Sequence, residues 1–120
     1  MNIAKQAVIQ ARKLISGGFS KKALCRNDGK QISSFEATAL YLSNPTANKL
    51  SFCVVGACMV SARLKAPNDL EGVTLGSLVE ILRQGIISAG LCNGVVNFND
   101  DHTQEEVLAM FDSIIEKMED

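Results

Sequence analysis

Apolar residues at the start of the chain recur with the spacing of a helix. Ile3, Ala4, Ala7, Val8, Ala11, Leu14 and Ile15 fall on one arc when each residue advances by about 100°, with Lys5, Arg12 and Lys13 opposite. This predicts a helix from about Asn2 to Ser16. Gly17-Gly18 should stop it by supplying the left-handed conformation that helix ends favour. Asn27-Asp28-Gly29 is a turn signal between short stretches of strand character, so Phe19–Ile32 reads as a small hairpin that must pack on helices to be stable. Ser33-x-x-Glu36 has the form of a capping box opening a helix over Phe35–Leu42, and Asn44-Pro45 stops that helix.

From Ala47 to Leu64 the pattern loses its polar face, which marks a helix at the centre of the domain. Gly56, beside Ala57, would let a neighbouring backbone approach closely. Lys65–Val73 reads as a loop around Pro67-Asn68-Asp69, and Thr74 caps a helix to about Ala89 with Leu75, Leu78, Val79, Ile81, Leu82 and Ile86 inward. Gly85 lies within that apolar arc, a second position for close contact. Leu91–Asn97 reads as an irregular or strand-like connection, and Asn99, Asp100, Asp101 and His102 as a polar loop. Thr103-x-x-Glu106 then caps a last helix whose apolar face holds Val107, Leu108, Phe111, Ile114, Ile115 and Met118. The expectation is a mainly α fold, one domain over residues 1–120, with about five helices around the central apolar helix and a small β-hairpin after the first helix.

Composition narrows the class. Hydrophobic residues make up 47% of 120 positions, enough for a core without disulfides or metal. Met1–Ser16 is amphipathic rather than signal-like, and the apolar run Phe52–Val60 is far too short for a membrane span of roughly 20 residues. A protein of the reducing cytoplasm, away from membranes, is expected. Charge is lopsided: residues 1–30 carry seven Lys/Arg against Asp28 alone, and residues 100–120 carry eight Asp/Glu against Lys117 alone. Either the first and last helices lie together and neutralise each other, or Lys5, Arg12, Lys13, Lys21, Lys22 and Arg26 form a basic surface for nucleic acid. The basic residues lack the interleaved aromatics of a base-stacking surface, which favours neutralisation.

The chemistry-bearing residues are few. His102 is the one histidine and stands among the densest carboxylates, but Asp100, Asp101, His102 and Glu105 lack the second histidine and the spacing that a metal site would draw on. Capping and turn formation explain the same residues, so no metal and no cofactor is expected. Cys53 and Cys58 fall in the apolar stretch and read as small core hydrophobes, which argues against a thiol paired with His102. Cys25 and Cys92 look more peripheral. Phosphate-binding, nucleophile-elbow and zinc-protease motifs are absent, so no catalytic residue is assigned.

Three stretches resemble a family of short bacterial and phage proteins known only as a domain of unknown function. They are Gly18-Phe19-Ser20-Lys21-Lys22-Ala23-Leu24-Cys25-Arg26-Asn27-Asp28-Gly29-Lys30, Phe52-Cys53-Val54-Val55-Gly56-Ala57-Cys58, and Val96-Asn97-Phe98-Asn99-Asp100 followed by Thr103-x-Glu105-Glu106-Val107-Leu108. Where this chain has Phe19 and Ser20 the family usually has Trp and Thr. The resemblance implies a single helical domain and brings no activity. Its phage members suggest interference with a host or defence system. Phe19, Cys53, Gly56, Asn99 and Asp100, with His102 beside them, are the candidates for a ligand pocket between hairpin, core helix and terminal loop. The competing reading is a loop pinned by Asn99 and Asp100 bonding to backbone. The leading expectation is a non-catalytic accessory protein that binds another macromolecule, in the first place a protein. Nucleic-acid binding through the basic residues and ligand binding at Asn99–His102 are the alternatives. A second copy of the chain would pair through Ile9 and Ile87, which lie outside their apolar arcs.

Overall fold

The computed structural model describes residues 2–65, 74–90 and 94–119. Helix α1 spans Ile3–Gly17 and is capped by Asn2, whose Oδ1 accepts the Lys5 N–H at 2.7 Å. Its buried residues Ala7, Val8, Ala11, Leu14 and Ile15 are those the periodicity selects. Ile9 is partly buried rather than exposed. Gly18 is not left-handed: its φ of −179° is extended backbone. Glycine is required there because the carbonyl of Leu50 occupies the place a Cβ would take.

The hairpin forms from β1 (Cys25–Asn27) and β2 (Lys30–Ile32). Asp28 and Gly29 bridge them at φ 51° and 84°, the positive angles of a two-residue hairpin turn. It is one part of a three-stranded antiparallel sheet, in the order β2-β1-β3, with β3 at Leu50–Phe52. The third strand corrects the expected Ala47–Leu64 helix. Leu50 and Phe52 are buried while Ser51 between them is only half-buried, a period of two hidden inside an apolar run. Phe52 is also bracketed by the α1 exit, donating to the Gly18 carbonyl and accepting from the Ser20 N–H, both at 2.9 Å. The central helix α3 therefore starts at Val54 and ends at Lys65. Between α1 and β3 the chain also forms α2, Ser34–Ser43, capped by Ser33 Oγ on the Glu36 N–H at 3.1 Å.

The second half is helical. Helix α4, Leu75–Ser88, begins with a reciprocal capping box between Thr74 and Ser77 and buries Leu78, Leu82 and Ile86. Gly85 meets Ile114, the close contact its position suggested: a Cβ there would stand 2.5 Å from Ile114 Cδ1. Val95–Asp101 forms a short helix, α5, where a strand-like connection and a polar loop were expected. Val95, Phe98 and Asn99 are its buried face, spaced i, i+3, i+4, so the polar run Asn99–Asp101 is its last turn. Helix α6, Gln104–Lys117, opens with the expected box: Thr103 Oγ1 accepts from Glu106 N–H, and Glu106 Oε1 accepts from Thr103 N–H.

Six helices thus stand among the described residues, one more than expected. Phe52, Phe98 and Phe111 are the largest fully buried side chains, joined by apolar residues of α1, α3, α4 and α6. Burying each side chain of that size contributes about 1.5–3 kcal/mol. The first and last helices pack together. Arg12 clasps Asp112 with two hydrogen bonds at 2.6 and 3.2 Å, Gln104 donates to the Ile15 carbonyl, and Lys5 reaches the Met118 carbonyl. No helix of the described residues is long and apolar enough to cross a membrane. The proposed turn at Pro67-Asn68-Asp69 and Cys92 lie outside the described residues.

Candidate functional site

Three elements meet at the start of α3. The chain leaves β3 at Cys53, whose N–H donates to the Leu24 carbonyl at 3.1 Å, and turns into the helix at Val54. A helix start leaves backbone N–H groups without partners. Here side chains satisfy two of them. Asn99, reaching across from α5, accepts the Val54 N–H on Oδ1 at 2.8 Å, and Cys53 Sγ accepts the Gly56 N–H at 3.3 Å. The other end of the Asn99 carboxamide donates to the Ser20 carbonyl at 3.1 Å and to Asp100 Oδ1 at 3.2 Å. Asp100 Oδ1 also accepts the backbone N–H of Lys22 at 3.2 Å. Asn99 is 2% exposed, so one buried amide joins the α1 exit, the α3 start and α5.

Gly56 belongs to the same junction. The Leu24 carbonyl lies where its Cβ would be, which is the close backbone approach its sequence position suggested. Phe19 pairs with Phe52 and packs on the core, fixing Ser20 for the bond to Asn99. Cys53, Asn99 and Asp100 line an open cleft of about 280 Å³, shared with Lys22, Leu24, Gln31, Val55 and Val96. Phe19 and Gly56 stand behind this lining rather than in it. His102 faces a second cleft, of about 330 Å³, among Gly85, Phe98, Glu106, Met110 and Ile114. Its ring stacks on Phe98 at 4.0 Å, and Nδ1 donates to the Phe98 carbonyl at 2.8 Å.

The thiols are held in their neutral form. Burial pushes Cys58 up to about 12 and Cys25 up to about 11, and neighbouring Cys53 raises both further. Cys25 is fully buried, not peripheral, because it faces inward from β1 opposite Phe52. Burial raises the Cys53 thiol as well, against the opposing pull of the Gly56 N–H. Among the described residues no three His, Cys, Asp or Glu side chains are grouped to hold a metal ion.

The six basic candidates divide. Lys5 and Arg12 are tied to the α6 end, and Arg26 bonds Ser20 Oγ and the Gly29 carbonyl. Lys13, Lys21 and Lys22 are exposed. Among the described residues the most exposed large apolar side chains lie elsewhere: Phe35 at 71% and Leu42 at 65%, both on α2. With exposed Ala39 they form an i, i+4, i+7 stripe along the outer side of that helix. The Arg63 guanidinium sits 3.9 Å from the centre of the Phe35 ring at one end of the stripe. Sequence periodicity placed α2 but not this face. Its signal was present, since Ser34–Ser43 is apolar on nearly every side while one side suffices to pack it.

A family model described as a family of unknown function (DUF6197) matches residues 4–117. The chain belongs to this family. The match runs from the first turn of α1 to the end of α6, so the Asn99 junction, both clefts and the α2 stripe all lie within the family's span. No curated protein and no solved structure matches the chain.

Proposed function

We propose that this family member is a non-catalytic accessory protein that acts by binding another protein, with the outer face of α2 as the anchor. The observation that carries this is the stripe of Phe35, Ala39 and Leu42, whose two large members are the most exposed large apolar side chains of the described chain. Exposed apolar residues scattered singly need no explanation, but aligned ones on an otherwise packed domain mark an interaction surface. Three side chains are too few for a stable complex, which buries about 1,600 Å² in total, so the stripe is the centre of a wider contact. Arg63, held over Phe35 and bonded to Ser34 Oγ, adds a fixed cation at its edge. The partner this fits presents an apolar ridge with a carboxylate near the Phe35 end.

Among the described residues, the groups that the sequence offers for chemistry stand apart from one another. Cys53 and His102 line different clefts, and the buried thiols are neutral near physiological pH. The test is affinity capture from nuclease-treated lysate of the source cells, comparing the natural chain with Leu42→Glu. A surface change of this kind leaves folding stability nearly intact, within about 0.5 kcal/mol. The expected result is a protein held in near-equal amount by the natural chain and lost with Leu42→Glu. Equal capture by both, or material that disappears with nuclease, would overturn the assignment.

A further inference from the structure

The cleft beside the Asn99 junction has a lining that protein binding through α2 leaves unused. Its charged lining residues are one lysine, Lys22, and one carboxylate, Asp100, adjacent through the Lys22 N–H bond to Asp100, and its walls include Leu24, Val55 and Val96. Leu24 is 41% and Val96 58% exposed, so two of the chain's exposed large apolar side chains stand on this one opening. Asp100 spends Oδ1 on Lys22 N–H and on Asn99 Nδ2, which leaves Oδ2 for a ligand. Lys22 itself holds a φ of 63°, a left-handed conformation unfavourable for a residue with a side chain. Asp28, the other such non-glycine residue among the described residues, is explained by its hairpin turn, whereas Lys22 lies in no turn of that kind.

A ligand of a single charge sign fits this lining poorly. A plain carboxylate would face Asp100 and a plain amine would face Lys22, and like charges brought together in a partly desolvated cleft oppose binding. A zwitterion answers both groups at once, and an apolar side chain on it covers the exposed walls. The volume of about 280 Å³ suits a ligand of that size, close to the lower end of ordinary ligand pockets at roughly 300 Å³. We propose that this cleft binds a small zwitterion with a branched apolar side chain, of the α-amino acid class. Asp100 Oδ2 takes the ammonium, Lys22 Nζ takes the carboxylate, and Leu24, Val55 and Val96 receive the side chain.

Isothermal titration of the full chain with L-leucine, leucinamide and 4-methylpentanoate tests this directly, because the two analogues each lack one charge. L-leucine should bind saturably at one site, and each analogue at least about ten-fold more weakly. Two variants remove the lining charges while keeping the fold. Lys22→Gly deletes the cation and relieves the positive φ, and Asp100→Asn keeps an oxygen for the Lys22 N–H. Each should weaken L-leucine by at least about ten-fold, with an unchanged circular dichroism spectrum and melting no lower than a few degrees below the natural chain. No saturable binding at millimolar L-leucine overturns the proposal. So does an analogue that binds as tightly as leucine, or a folded Lys22→Gly variant that binds unchanged.

Discussion

Asn99 uses its side-chain amide at both ends, accepting from Val54 N–H and donating to the Ser20 carbonyl, while 2% exposed. Removing it strands a helix-start donor and a carbonyl in the interior, and an unsatisfied buried group costs about 1–3 kcal/mol. Asn99→Ala should therefore lower the unfolding free energy by about 2–4 kcal/mol, read from urea denaturation monitored by circular dichroism. A loss below about 1 kcal/mol would mean that water replaces both bonds. At this scale the sequence was partly legible. The pairing of Asn99 and Asp100 with backbone was one of two readings, but which backbone they would meet was not, since Val54 and Ser20 are 45 and 79 positions away. Cys25 was misplaced for a related reason: a strand of three residues gives too little alternation to show which way a side chain points.

Helix starts are the elements whose signals translated most directly. Ser33, Thr74 and Thr103 each cap the helix they were expected to open, because a cap acts within three residues and needs no tertiary context. For α6 the cap carries a pH dependence. The Thr103 N–H bound to the Glu106 carboxylate holds that group below its ordinary 4.5. A carboxyl with a lowered folded value stabilises the fold above its unfolded value, and that stabilisation is lost as pH falls through the folded one. Melting temperature should therefore drop more steeply between about pH 5 and pH 3 in the natural chain than in Glu106→Gln. Parallel curves would show that the box contributes no acid sensitivity. Thr103→Ala should cost about 1 kcal/mol at neutral pH. Strand β3 and helix α5 were not legible in the same way. Both depend on partners distant in sequence, β1 for the strand and the α3 start for the helix, and tertiary context overrides local pattern in such short pieces.

Across the whole molecule the unequal charge of the two ends has a simple structural outcome, since α1 and α6 lie together and Arg12 meets Asp112. That ion pair is on the surface and contributes about 0–1 kcal/mol, so the apolar faces of the two helices carry most of their packing. The mainly helical class follows from the apolar periodicities. The outer face of α2 does not, because a helix with apolar residues on nearly every side does not show which of them its neighbours will cover. Only Ser34 and Ala37 of α2 are fully buried, leaving Phe35 and Leu42 outward. The account rests on that face being covered by another protein. A photo-crosslinking residue placed at Leu42, with the exposed Glu116 of α6 as the control position, measures it most directly in living source cells. The expected result is one discrete protein adduct from position 42 and none from position 116. No adduct at 42, or the same adduct from both positions, would contradict a binding role for α2.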